Sequence, residues 1–294
     1  ISETLGITSV NARVKMNRAK DKLKNIFRPY YRWIRLIFKL NLIKTFYINF
    51  RTQSFKKAIK LPIFVYGKLK IYSLKGQIII DAPIQTGMIH IGKDLDHNPV
   101  SFNPIKMTIN GILRFKGHAL ISGGSTVTVW NGVINLAKNV SIGSGVQLKA
   151  YLKIEIGENS QIVALCTIMD TNVHYVKNIK TGEILKSFAP IIIGKNCWLN
   201  QGSIVTKGTI IPDYCIVARN TFLNKDYSKN CEQHSLFAGS PAKVLATDVQ
   251  RIFDFDEETK LNKYFKENKD LNSIEVEKDL FEEPDAIPHI LKIF

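Results

Sequence analysis

Cysteine is scarce in this chain. There are four in 294 residues, with no CxxC pair and no Cys/His spacing of the zinc-binding kind. Neither a disulfide framework nor a zinc module is built that way, so a reducing compartment is expected. Long apolar runs are also missing: no uninterrupted stretch reaches the roughly 18 residues of a membrane-crossing helix, and no signal peptide with a small-residue cleavage site is present. A cytoplasmic protein is the expectation. Negative charge is nearly absent from the first eighty residues, where Glu3 and Asp21 face 18 Lys and Arg, a balance equal to the +16 of the whole chain.

That basic region contains IFRPYYRWIRLIFKLNLIKTFYINF (26–50), with Arg28, Arg32, Arg35 and Lys39 spaced four, three and four apart among Trp33, Phe38 and aliphatics. The spacing puts the cations on one helical face beside aromatics suited to a membrane interface. Two readings stand side by side: peripheral contact with an anionic membrane, and a solvated face on a helix that caps the rest of the fold. Nucleic acid is not expected, because no helix-turn-helix, zinc knuckle or RNA-binding signature accompanies the charge.

What the chain does have is a period of six. Ile193, Leu199, Val205, Ile211, Val217 and Leu223 follow one another at that interval, and four residues after each of the first five stands a small residue: Cys197, Ser203, Thr209, Cys215 and Thr221. Neither a helix at 3.6 nor a strand at two holds this period, whereas a triangular coil buries one aliphatic per side. The register recurs at Ile109, Phe115, Ile121 and Val127, at Leu136, Ile142, Leu148 and Ile154, and at Ile156, Ile162 and Ile168. The step from Ile154 to Ile156 marks a two-residue slip for a corner to absorb. A mainly β chain is predicted, a parallel β-helix of hexapeptide repeats; a sandwich would need period-two alternation and hairpin signals. The predicted division is a basic amphipathic helical region at 1–75, the β-helix at 76–246 and an acidic tail at 247–294 with a helix around Asp256 to Lys269.

The repeat stops at Ile168 and resumes at Ile193. Between them MDTNVHYVKNIKTGEILKSFAPII (169–192) predicts a loop thrown out of the stack, a natural place for a site. It carries His174, the only histidine between His118 and His234.

On IMDTNVHY, APIIIGKNCWLNQGSIVTKGTIIPDYCIVARNTFLNKD and LFAGSPAKVL, the sequence resembles the hexapeptide-repeat O-acetyltransferases of the left-handed β-helix class, those that modify sugars of capsular or lipopolysaccharide polymers. The resemblance covers residues 105–246. It implies a left-handed coil, acetyl-CoA as cosubstrate with no metal, a sugar hydroxyl as acceptor, and a homotrimer with clefts between subunits. It implies His174 as general base for direct transfer, because a sugar hydroxyl needs its proton removed as it attacks a thioester. Asp170 would either fix the imidazole tautomer or bind the sugar. Trp198 matches the tryptophan near the pantetheine, Ala218 and Arg219 the coil along its arm, and Asn224, Lys225 and Lys243 the region of the nucleotide phosphates. Arg219 departs from the small residue usual there, and the amide side chain usual one coil before the histidine is replaced by Gly143 and Ser144. Cys166, on a small-residue position, is expected to be buried rather than an acyl-enzyme nucleophile.

A β-helical carbonic anhydrase would need three histidines where only His174 lies. A nucleotidyltransferase would need a Gly-rich nucleotide domain that residues 1–100 lack. A non-catalytic scaffold or membrane-surface adaptor remains the alternative, distinguished by indifference to acetyl-CoA and to His174.

Overall fold

The computed structural model describes residues 39–93 and 103–275. Residues 1–40 and 41–294 form separate units; Arg28, Arg32 and Arg35 of the basic face, and the tail beyond 275, lie outside the described residues.

The period of six becomes three parallel sheets that the chain visits in rotation. The first runs through strands 63–65, 89–91, 119–121, 140–142, 161–162, 198–199, 216–217 and 236–238; the second through 69–74, 105–109, 126–129, 147–150, 167–169, 204–206 and 222–223; the third through 77–80, 112–115, 133–136, 153–156, 191–193 and 210–211. Each strand pairs in parallel with its equivalent one coil on, so the architecture is a parallel β-helix. Ile193, Leu199, Val205, Ile211, Val217 and Leu223 are all 0–1% exposed, and the small residues Cys197, Ser203, Thr209, Cys215 and Thr221 are 0% exposed. A fully buried aliphatic contributes about 1.5–3 kcal/mol, and stacking one per side per coil gives the prism a continuous core. The small residues also serve the corners: Ser203 Oγ donates to the carbonyls of Asn200 and Ala218 at 2.7 and 3.1 Å.

The coil starts earlier than the expected boundary at 76, since Ile63–Val65 and Leu69–Leu74 already form its first two sides. A helix, Leu42–Thr52, covers the open edge that this first coil would expose. Its buried Asn49 donates from Nδ2 to the Ile63 carbonyl at 2.7 Å and accepts the Ile63 N–H at 3.1 Å, and Thr45 Oγ1 accepts the Val65 N–H at 3.0 Å. Unpaired edge amides are thereby satisfied by side chains. Residues 42–52, in the described part of the basic region, thus cap the coil, while Arg28, Arg32 and Arg35 lie outside the described residues. At the far end, strand 243–246 turns back antiparallel onto 236–238, and a helix, Phe255–Glu267, stands where the acidic segment predicted one, capped by Asp254. No helix among the described residues is long and apolar enough to cross a membrane.

Candidate active site

Every passage from the second sheet to the third turns one corner, and these corners stack. The register pairs Ile109 with Val129, Val129 with Ala150, and Lys149 with Met169, which places Asn110, Trp130, Tyr151 and Thr171 above one another, with Asp170 one residue before that column, in line with Ala150. The two-residue slip sits here, as extra chain at Tyr151 and Leu152 before strand 153–156. Extra chain brings extra amides. Asp170, 0% exposed, accepts all of them: Oδ1 takes the Tyr151 N–H at 2.7 Å, and Oδ2 takes those of Leu152 and Lys153 at 2.7 and 2.6 Å. No hydrogen bond joins Asp170 to His174.

The loop leaves at this corner. An antiparallel bridge joins Thr171 to Phe188 at its base, and a short hairpin pairs Val176–Lys177 with Ile184–Leu185 beyond. Between base and hairpin the chain makes a tight turn, with the His174 N–H on the Asn172 carbonyl at 2.7 Å and Val173 at φ +65°. A three-residue turn with positive φ at its centre is rare and strained, more so at a β-branched residue. Neighbouring bonds hold it: Asn172 N–H donates to the Ser187 carbonyl at 2.7 Å, and Val173 N–H to Thr171 Oγ1 at 2.9 Å. Strain kept in place by its surroundings is a common mark of a functional site. His174 rides on this turn, exposed to solvent.

Beside it a cavity of about 280 Å³ is lined by Asn110, Trp130, Asn131, Tyr151, Thr171, Val173, Tyr175 and Ser187. His174 thus lies in sequence between two wall residues. Trp130, Asn131 and Tyr151 carry no motif that marks them in the sequence. Gly143 and Ser144, where the resemblance places the missing amide, follow strand 140–142 of the first sheet and so stand at a different corner. Asn110 and Asn131 are the amides at the corner where the loop leaves. Their signal was the spacing of about one coil from Asn110 to Trp130–Asn131 to Tyr151.

The residues matched to the cosubstrate fall in two places. Asn224 and Lys225, both exposed, follow strand 222–223 at the same kind of corner as the loop. Lys225 Nζ stands 5.3 Å from the Tyr227 ring. Trp198 and Ala218 belong instead to the first-sheet side. Trp198 pairs with Ile216 and is partly exposed, while Ala218 spends its N–H on the Phe237 carbonyl at 2.8 Å. Arg219 is exposed and donates to Gln201 Oε1 at 3.2 Å, and Lys243 is exposed on strand 243–246. One chain therefore divides these residues between two edges of the prism. Cys166 is 0% exposed, and burial pushes its thiol up to about 11, which leaves little thiolate at neutral pH.

No protein-family model matches the chain. Over 122 residues it is 26% identical to a protein named for lipopolysaccharide biosynthesis O-acetyl transfer, WbbJ of Escherichia coli (strain K12), covering 39% of this chain and 60% of that one. The chain thus spans less than two thirds of that relative's length. The class of that relative agrees with the resemblance drawn from the motifs. Among solved structures, the polysialic-acid-specific acetyltransferase NeuO is 13% identical, with a TM-score of 0.45 and coverage of 74% of this chain and 90% of that one. The polysialic acid O-acetyltransferase OatWY is 17% identical, with a TM-score of 0.36 and coverage of 67% and 99%.

Proposed function

We propose that this chain is an acetyl-CoA-dependent O-acetyltransferase, moving acetyl to a sugar hydroxyl of a cell-surface glycan or its precursor through a left-handed β-helix. The observation that carries the reading is the strained turn that holds His174 at the edge of an aromatic cavity, on the loop that the sequence resemblance marks for catalysis. In the reaction a ring nitrogen of His174 takes the hydroxyl proton as the sugar oxygen attacks the thioester carbonyl. The C–S bond then breaks, and the proton passes to the departing CoA thiolate, leaving an acetyl ester and CoA. No acyl-enzyme is required.

The division of the cosubstrate residues between two edges supports a homotrimer. Parallel prisms of this kind bring the corner of one copy against the flat of the next, so that His174, Asn224 and Lys225 of one chain meet Trp198, Ala218, Arg219 and Lys243 of its neighbour across a shared cleft. Asp170 acts through position: by holding the corner at Tyr151–Lys153 it fixes the floor from which the loop rises. The test is His174→Ala, which is expected to lower acetyl transfer by roughly 10²–10⁴ while leaving acetyl-CoA affinity nearly unchanged. Near-normal turnover would overturn the assignment.

A membrane contact is favoured by a separate observation. The helix Leu42–Thr52 caps the coil with one face only; on the other, Ile43 is 81% exposed, and Leu42, Phe46, Tyr47, Phe50 and, just beyond, Phe55 are exposed too. Lys44, Arg51, Lys56, Lys57 and Lys60 surround them without one acidic residue. Apolar rings within a cationic rim suit an anionic leaflet, at about 1 kcal/mol per cation near the surface. A peripheral, cytoplasmic-face location follows. Because Thr45 and Asn49 hold the coil, the clean variant is Ile43→Ser with Phe46→Ser. It is expected to lose binding to vesicles containing phosphatidylserine and to keep its melting temperature; retained binding would remove the idea.

A further inference from the structure

We infer that the cavity beside His174 is a subsite for one neutral pyranose ring, a hexose or N-acetylhexosamine, and that Trp130 and Tyr151 select it. This rests on the acetyltransferase reading and adds the class of acceptor to it. At about 280 Å³ the space is just below the roughly 300–1,000 Å³ of sites for drug-sized ligands, which suits one sugar ring. Its wall joins two kinds of group that a pyranose needs. Trp130, Tyr151 and Tyr175 offer aromatic faces, whose negative potential suits the slightly positive C–H side of a sugar ring. Asn110, Asn131, Thr171 and Ser187 offer amides and hydroxyls to its rim. The Tyr151 ring is held by Phe188, 5.0 Å away, so that face is set before any ligand arrives. Asn110 Oδ1 accepts the Ser73 hydroxyl at 2.5 Å, and its side-chain Nδ2 has no partner among the described residues.

Charge decides the class. Among the described residues no Lys, Arg, Asp or Glu lines the cavity, in a chain that carries 41 Lys and Arg. A uronate or sialate carboxylate would enter without a cationic partner and would approach the buried carboxylate of Asp170, which neighbours Thr171 in sequence and holds the Tyr151 amide. Burying an unpaired charge is costly, whereas neutral hydroxyls meet partners. Position completes the argument: Val173 and Tyr175 flank His174, so a ring seated here presents a hydroxyl to the imidazole at the mouth.

The experiment compares the enzyme with Trp130→Ala and Trp130→Phe, using chitotriose and maltotriose as neutral acceptors and trigalacturonate and tri-sialic acid as anionic ones. The unmodified enzyme is expected to favour a neutral acceptor at least 10-fold in kcat/KM. Trp130→Ala is expected to raise the KM for that acceptor 10-fold or more, with the KM for acetyl-CoA and the acceptor-free hydrolysis of acetyl-CoA within twofold, and Trp130→Phe to recover most of the loss. Preference for an anionic acceptor, or an unchanged acceptor KM in a Trp130→Ala protein with normal circular dichroism, would overturn the inference. Saturation-transfer NMR with the same trisaccharides separates the two levels. If acetyl-CoA fails to bind by calorimetry while chitotriose or maltotriose binds and Trp130→Ala abolishes it, acetyl transfer falls and the sugar site stands. No sugar signal with any of the four, together with normal acetyl-CoA binding, removes the subsite alone.

Discussion

The guanidinium of Arg251 lies over the ring of Trp198, 4.5 Å from its centroid. Arg251 also donates to Gln161, the residue paired with Trp198 one coil earlier, and reaches Glu258 of the terminal helix at 3.9 Å. The segment after the last coil therefore folds back on the first sheet and shields the tryptophan that the resemblance places beside the pantetheine. Arg251→Ala is expected to lower stability by about 1 kcal/mol, the scale of one partly buried cation–π contact with its hydrogen bond. In a background with Trp33 and Trp130 changed to Phe, Trp198 emission should shift to the red and iodide quenching should rise. Acetyl-CoA should reverse both where pantetheine covers the bared indole; emission and quenching equal to the parent's would show that Arg251 is not the shield.

Asn49 pairs with both backbone groups of Ile63 while 0% exposed. Asn49→Leu keeps the volume and removes the partners, leaving a buried donor and acceptor unpaired at about 1–3 kcal/mol each. Urea unfolding should report a loss of about 2–6 kcal/mol. A loss under about 0.5 kcal/mol, the range of ordinary surface changes, would mean that water reaches this edge and that the helix is not its cap.

The residues of the period were readable because the coil asks one thing of them, an aliphatic at each side, and no other architecture asks for it at every sixth position. The first coil was harder to see. In LPIFVYGKLKIYSL the buried Ile63 and Val65 stand two apart within one strand, and Lys68 and Lys70 flank Leu69, so local alternation hides the longer repeat. The site was half legible. His174 stood out because the repeat breaks around it, but Trp130 and Tyr151 look like ordinary corner residues until stacking sets them in one column. Asp170 reads in the sequence as a tautomer partner of His174 or a sugar ligand, on the Asp-x-x-x-His segment of the resemblance. What holds it is long-range: the amides of Tyr151, Leu152 and Lys153 belong to the preceding coil, and only the coil count brings them near.

His90 is 1% exposed on strand 89–91, between Phe64 and Tyr66 at ring distances of 6.2 and 5.6 Å. Burial, then Lys93 and His118, push its pKa down to about 3. The unfolded chain takes up this proton near 6.5, so between pH 6.5 and about 3 it binds more protons than the folded one. Stability from this group is complete above about 6.5 and falls by up to roughly 1.4 kcal/mol per pH unit below it. His118, bonded to Gln85 at 3.1 Å, is also lowered by burial and Lys138, and acts in the same direction. Urea unfolding at pH 7 and pH 5 should show a smaller acid loss in His90→Gln than in the parent. Equal losses would mean that the imidazole is protonated in place.

Asp170→Asn separates a positioning carboxylate from a catalytic one. The side chain is isosteric, but its NH₂ would face an amide that the lost oxygen accepted, and the remaining bonds would lose the help of charge, which roughly halves their strength. The Tyr151–Lys153 corner would then loosen, and with it the aromatic wall of the cavity. The expected result is a loss of about 2–4 kcal/mol in stability, the cost of leaving a buried group unpaired while weakening two others, together with a raised acceptor KM. The pH profile of kcat/KM should keep its form, because the His174 ring makes no hydrogen bond to this carboxylate. A variant of unchanged stability whose kcat falls by orders of magnitude with a displaced pH profile would instead place Asp170 on the proton path.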